Sequence, residues 1–304
     1  MYQVRHVSES RHVSLRGWRY HLRQWGDPRH APLVLLHGWM DVAASWQFVV
    51  DELLDAGLPR RIVAPDWRGF GLSVPEGPAP DAYWFADYLA DLDALLDALV
   101  PDGAIDLVGH SMGGNVAMLY AGVRPQRVRR LIILEGFGMP ATQSAQAPGR
   151  YAQWLDELRQ VRAGDMALQS YDNADGVARR LQKTNPRLRA EHAAWLATHW
   201  AAPGSDGRWR ILGEAAHKVV SAQLYRADEA QAVFARIGAP TLSVTASDDS
   251  MALWWKGRYT LADYRERLRA VPDVREAVID HAGHMLHHDQ PQALAALMAD
   301  FLTD

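Results

Sequence analysis

The chain has 304 residues, with 48% hydrophobic and 22% charged side chains, the balance of an ordinary folded protein rather than a disordered one. A formal net charge of −4 argues against nucleic acid as the main partner, because phosphate binding usually shows as a basic excess. With no cysteine, disulfides and thiolate metal sites are excluded. The opening "MYQVRHVSESRHVS" lacks the apolar core of a signal peptide, and runs such as "APLVLL" are far too short to span a bilayer. A cytoplasmic protein of enzyme size is expected; its oligomeric state is not readable.

In chain order, "HVSLRGWRYHLRQWG" alternates and breaks at Gly17, predicting two short antiparallel strands. "LVLL" after Pro32 is a continuous apolar run of the kind that marks a strand buried on both faces, and it ends at "HGWMD". "AASWQFVVDELLDAG" reads as a helix stopped by Gly57. "RIVAPD" predicts a second buried strand, followed by the loop "WRGFGLS". "DAYWFADYLADLDALLDALV" carries leucines 89, 92, 96 and 99 on one helical stripe. Asp87, Asp91, Asp93 and Asp97 read as its solvated face. "AIDLV", "VRRLIIL", "PTLSVTA" and "REAVID" are further strands. The helices "MGGNVAMLYAGV", "TLADYRERLRAV" and "PQALAALMADFL" alternate with them. That alternation predicts an α/β protein with a mostly parallel sheet and helices on both faces.

Residues 140–235 interrupt the rhythm. "YAQWLDELRQVR", "ADGVARRLQKT" and "AEHAAWLATHW" are helical patterns with no convincing strand among them. We read 140–235 as a helical cap inserted into a core made of 1–139 and 236–304. Its tryptophans 154, 195, 200 and 209 either cover an apolar acyl group or glue the insertion to the core. Arginines 159, 162, 179 and 180 either join that cover or face water.

The chemistry concentrates in Gly109-His110-Ser111-Met112-Gly113, a G-x-S-x-G pattern between a buried strand and a helix. There the serine occupies a sharp turn, flanked by glycines because neighbouring chain passes too close for a Cβ. A serine hydroxyl needs a base to become nucleophilic. The candidate is His284 in "DHAGHMLHHDQP", just past the last strand. His281, His287 and His288 crowd the same stretch, but no carboxylate or cysteine cluster completes a metal site, so neither metal nor cofactor is expected. His287 and His288 read as surface or loop residues. For the acid that orients the base, Asp249 in "PTLSVTASDDS" gives the chain order serine, aspartate, histidine. Glu135 in "LIILEGFG" and Asp248 are rivals. The negative charge of an acyl-transfer transition state needs placed donors. The backbone N–H groups of Met112 and Trp39 are the candidates.

"LLHGWMD", "APDWRGFGLS", "LVGHSMGG", "PTLSVTASDDS" and "HAGHMLHHDQP", in this order, resemble the α/β-hydrolase family across nearly the whole chain. "HGWMDVAASW" and "RRLQKTNPRL" are similar to its serine hydrolase-like group. The resemblance implies an eight-stranded sheet, a lid between the sixth and seventh strands, structural roles for His37, Asp66 and Arg68, and a serine-dependent hydrolase acting on a small-molecule ester or acyl compound. Two features depart from the family. "MALWWKGRYT" lengthens the interval between Asp249 and His284. Ser111 stands where epoxide hydrolases and haloalkane dehalogenases carry aspartate, and "HGWM" lacks their usual proline, which disfavours those chemistries. Carbon–carbon bond hydrolysis of aromatic-ring cleavage products uses the same constellation and is the alternative enzyme reading. A non-hydrolytic oxygenase or receptor on this scaffold is the third.

Overall fold

A computed structural model describes residues 2–57 and 60–303. The chain runs β1 (Glu9–Leu15), β2 (Trp18–Gly26), β3 (Pro32–Leu36), α1 (Gln47–Asp55), β4 (Arg61–Pro65), β5 (Val74–Pro75) and α2 (Phe85–Leu99). It continues through β6 (Ile105–His110), α3 (Met112–Val123) and β7 (Val128–Leu134). An insertion follows, with α4 (Ala147–Ala163), β8 (Ser170–Tyr171), α5 (Ala174–Thr184), α6 (Ala190–Trp200), β9 (Ala201–Pro203) and β10 (Trp209–Ile211). The last part holds α7 (Ala227–Phe234), β11 (Thr241–Ala246), α8 (Ser250–Trp255), α9 (Leu261–Leu268), β12 (Val274–Ile279), α10 (Leu286–Asp289) and α11 (Pro291–Thr303).

The main sheet has the order β1-β2-β4-β3-β6-β7-β11-β12, with β5 pairing beside β2. β1, β2 and β4 pair antiparallel. From β4 through β3, β6, β7 and β11 to β12 every pairing is parallel. This is the mostly parallel sheet that the alternating strands and helices imply, and it fits the fold that the resemblance to the α/β-hydrolases implies. Its two faces can be read from one strand. In β3 all five residues are buried. Val34 and Leu36 join the core cluster that takes in α2 and α3, while Leu33 and Leu35 join the one that takes in α1 and α11. Successive side chains point to opposite faces, so only a strand covered on both sides can be apolar throughout.

The insertion departs from the expected all-helical pattern, because β8, β10 and β9 form a small antiparallel sheet. Strands of two or three residues are too short to display a period of two. Buried residues of α5 and α6 share a cluster with Val42, Ala44 and Phe48 of the core, and Trp195 and Trp209 pack against it. α7 lies on α3, close enough that a Cβ on Gly122 would sit 2.1 Å from the Val233 carbonyl oxygen. That helix therefore packs with the core although its sequence falls within 140–235.

The predicted solvated face of α2 holds an exception. Asp91 is buried and accepts bonds from Arg68 Nε at 2.5 Å and Nη2 at 2.6 Å, from Arg16 Nη1 at 2.6 Å, and from the Tyr20 hydroxyl. Asp66 accepts the backbone N–H groups of Ala43 and Leu72 and bonds His21. His37 Nε2 accepts the Trp67 N–H at 2.9 Å. These bonds tie the loops after β3 and β4 to each other and to β2. Among the described residues no helix is long and apolar enough to cross a membrane.

Candidate active site

The ends of β3, β6 and β7 and the loop after β12 converge at the carboxyl edge of the parallel sheet, where open α/β folds bind ligands. Ser111 sits between β6 and α3 with φ 52° and ψ −116°, a conformation that a residue with a side chain seldom adopts. The surrounding chain enforces it. A Cβ on Gly109 would lie 2.3 Å from the Gly113 carbonyl oxygen, and one on Gly113 would lie 2.4 Å from that of Leu36. Both positions must be glycine for the turn to close. The Ser111 N–H donates to Leu134 O at 2.8 Å, and the Ser111 carbonyl accepts from Asn115 at 3.0 Å, so the main chain on both sides is fixed.

Glu135 directly follows β7 and also has a positive φ, 53°. Its N–H donates to Val244 O at 3.0 Å, and its Oε1 accepts the Ala246 N–H at 2.8 Å, which clamps the carboxylate between β7 and β11. Its Oε2 is 3.2 Å from Nδ1 of His284. When ionised, the carboxylate can only accept, so Nδ1 then carries the hydrogen and Nε2 keeps its lone pair. The His284 carbonyl accepts from His110 Nε2 at 2.7 Å, which anchors His284 to the residue just before Ser111. Burial raises the Glu135 carboxyl to about 7 and lowers the His284 imidazole to about 4, since each loses the hydration that favours its charged form.

Asp249 has another task. It is exposed, and its carboxylate accepts the Ala252 N–H at 2.9 Å as the N-cap of α8. Asp248 pairs with Arg187 at 2.6 Å. Of the three candidate acids, the structure brings Glu135 alone to hydrogen-bond distance from His284. The physical reason lies in "DDSMALWW", which turns into a helix and uses its aspartate to start it. The same helix presents Trp254, whose ring meets the His284 ring edge-to-face at 4.3 Å and an interplanar angle of 83°. Only the lengthened interval hinted at this residue.

Met112 is the first residue of α3, so its N–H is one of the helix's unpaired starting donors. Trp39 lies in the turn closed by Asp41 N–H to Gly38 O at 3.3 Å, a turn that leaves the Trp39 N–H unused by its own closure. The turn packs on the elbow, and a Cβ on Gly38 would sit 3.1 Å from Ser111 Cβ. Two bonds from the insertion side hold it. Trp200 Nε1 donates to Met40 O at 2.8 Å, and Trp39 Nε1 donates to His217 O at 3.3 Å. The Trp154 ring meets that of Trp84 on the core side. Arg162 pairs with Asp81 and Arg159 with Asp156, both at the surface.

His281 is exposed. His287 and His288, expected at the surface, are instead buried in α10 against Trp46 and Phe48. A four-residue helix is too short for its buried face to show in the sequence.

The sequence pattern of the alpha/beta hydrolase fold family matches residues 31–291. A "Serine hydrolase-like protein" of Danio rerio is 25% identical over 91% of this chain and 83% of its own. "Epoxide hydrolase A" of Mycobacterium tuberculosis is 27% identical over 96% of each. "2-hydroxymuconate semialdehyde hydrolase" of Pseudomonas sp. (strain CF600) is 38% identical, over 43% of this chain and 46% of its own. Among solved structures, the "Thioesterase Domain From Curacin Biosynthetic Pathway" superposes with a TM-score of 0.83 at 25% identity, covering 96% of this chain and 99% of that one. With its sheet order, its serine elbow and a match across most of its length, this chain belongs to the α/β-hydrolase family of enzymes.

Proposed function

We propose that the protein is a serine hydrolase that cleaves a carboxylic ester or related acyl compound through an acyl-enzyme on Ser111. His284 Nε2 takes the hydroxyl proton as Oγ attacks the acyl carbon. The N–H groups of Trp39 and Met112 receive the oxyanion. The intermediate collapses, His284 returns the proton to the departing alcohol, and a water activated by the same imidazole then releases the acid. Glu135 holds the imidazole's tautomer and stabilises its positive charge, the task the sequence assigned first to Asp249. Within segment 140–235, the part before α7 serves as the lid over this site. The observation that carries the reading is the Glu135–His284 bond, on a histidine whose own carbonyl is tied to the residue beside Ser111. An aspartate nucleophile of the epoxide-opening kind has no counterpart at position 111.

The test is a panel of nitrophenyl esters of graded acyl length, run with a fluorophosphonate probe. Wild type should turn over esters and become labelled at Ser111. Ser111→Ala should lose both while keeping its fold, with turnover down by about 10⁴-fold or more. Full activity in that variant would end the proposal. The partial match to 2-hydroxymuconate semialdehyde hydrolase supports a second reading, carbon–carbon bond hydrolysis. Preference for a vinylogous diketone over every ester in the panel would favour it.

A further inference from the structure

Next to His284 lies a second group of chemistry-bearing side chains that take no part in the proposed proton transfers. Asp41 comes from the turn after β3, His110 from the end of β6 and His287 from α10, and all three are buried. One ligand atom from each lies within 4.8 Å of the others, and His287 Nε2 is 3.6 Å from Asp41 Oδ2. The Asp41 carboxylate is steadied by the Ser45 hydroxyl at 2.8 Å.

The tautomer of His110 follows from its neighbour. Its Nε2 meets the His284 carbonyl, which only accepts, so Nε2 carries the hydrogen and Nδ1 offers a bare lone pair. That Nδ1 has no hydrogen-bond partner among the described residues, and neither does either nitrogen of His287. Buried polar atoms are normally satisfied, so an unpartnered nitrogen on each of His110 and His287 beside the Asp41 carboxylate makes a donor set suited to a small ligand. The sequence shows the histidine run 281–288 but not the ligands that complete it, because Asp41 and His110 arrive from distant strands.

We propose that Asp41, His110 and His287 form a binding site for a divalent transition ion of the zinc class, and that its occupancy inhibits the enzyme. Two imidazole nitrogens and one carboxylate oxygen are the donor types such an ion prefers, and they leave a fourth position open. The ion draws on His110 Nδ1 while the same ring holds the His284 carbonyl and precedes Ser111. A shift of that ring therefore displaces both base and nucleophile. The inhibitory half rests on the proposed serine mechanism; the binding half does not.

The test uses the full chain stripped with a chelator. Zn²⁺ is titrated calorimetrically, and Co²⁺ is added as a spectroscopic probe of a low-coordinate nitrogen and oxygen site. One ion should bind per chain, with at least tenfold weaker binding in His287→Gln and in Asp41→Asn, and unchanged binding in His281→Gln. Ester turnover of wild type should fall as the site fills, recover with chelator, and resist Zn²⁺ in His287→Gln. No stoichiometric binding, or equal binding in all variants, would overturn the site and leave an ordered water as its occupant. Binding that leaves turnover untouched would overturn the inhibitory half. Absence of ester turnover in the metal-free protein would instead count against the serine mechanism, with the calorimetry still deciding the site.

Discussion

The Glu135 carboxylate reaches the His284 imidazole at 3.2 Å across 149 positions of sequence, while Asp249 spends its carboxylate on the first turn of α8. Substitution separates the two roles. Glu135→Gln should lower kcat for the best ester by about 10²–10⁴-fold, because an amide no longer matches the tautomer of the base. Asp249→Asn should stay within a few-fold of wild type in both rate and stability, since asparagine caps a helix as well as aspartate. Steady-state kinetics and urea unfolding of both variants check this, and a reversed order would restore Asp249 as the acid.

The pH profile carries a signature of the same pair. Burial raises the Glu135 carboxyl to about 7, so it gains its proton as pH falls through that region. The pair then loses the negative charge that stabilises the imidazolium. The acid limb of kcat/KM should therefore lie near pH 7 in wild type and belong to the pair rather than to one residue. In Glu135→Gln the residual activity should keep falling only at lower pH, toward the lowered value of His284. The linkage has the same origin. A carboxyl with a raised folded pKa favours the folded state at low pH and loses that advantage as pH rises from its unfolded value to about 7. Glu135→Gln should accordingly gain most in stability, relative to wild type, above pH 7, as thermal unfolding at two pH values would show.

Asp91 offers a test of stability apart from catalysis. It meets two arginines and a tyrosine in a buried setting, so Asp91→Ala takes away the two shortest bonds of the Arg68 guanidinium and leaves it only Asp87, at 3.2 Å. A loss of about 3–5 kcal/mol is expected. The denaturation midpoint should drop at an unchanged slope, while the fraction that remains folded is still labelled by the fluorophosphonate probe.

Trp254 stands half-exposed with its ring against His284, which makes it a candidate contact for an acyl group on the proposed mechanism. Trp254→Ala should raise KM for aromatic acyl esters up to about tenfold and change it little for acetyl esters, as the loss of one aromatic contact implies. Equal effects across the panel would remove Trp254 from the acyl pocket.

Much of this was legible before folding. Continuous apolar runs such as "PLVLL" need both faces covered, and the glycines around Ser111 mark a turn without room for a Cβ. What stayed hidden depended on distant chain. Glu135 directly follows β7 and Asp249 lies three residues past β11, and the choice between them turns on a helix that the sequence did not announce. Asp91 looks like its exposed neighbours until Arg68 arrives from the loop after β4. His287 and His288 look like loop residues until Trp46 and Phe48 close over them.

The bonds from Trp200 to Met40 and from Trp39 to His217 fasten the turn after β3 to segment 140–235. Under the proposed mechanism, a substitution that removes either tether would loosen the turn carrying the Trp39 amide, so turnover would depend on indole donors far from the reacting atoms as well as on the residues beside them.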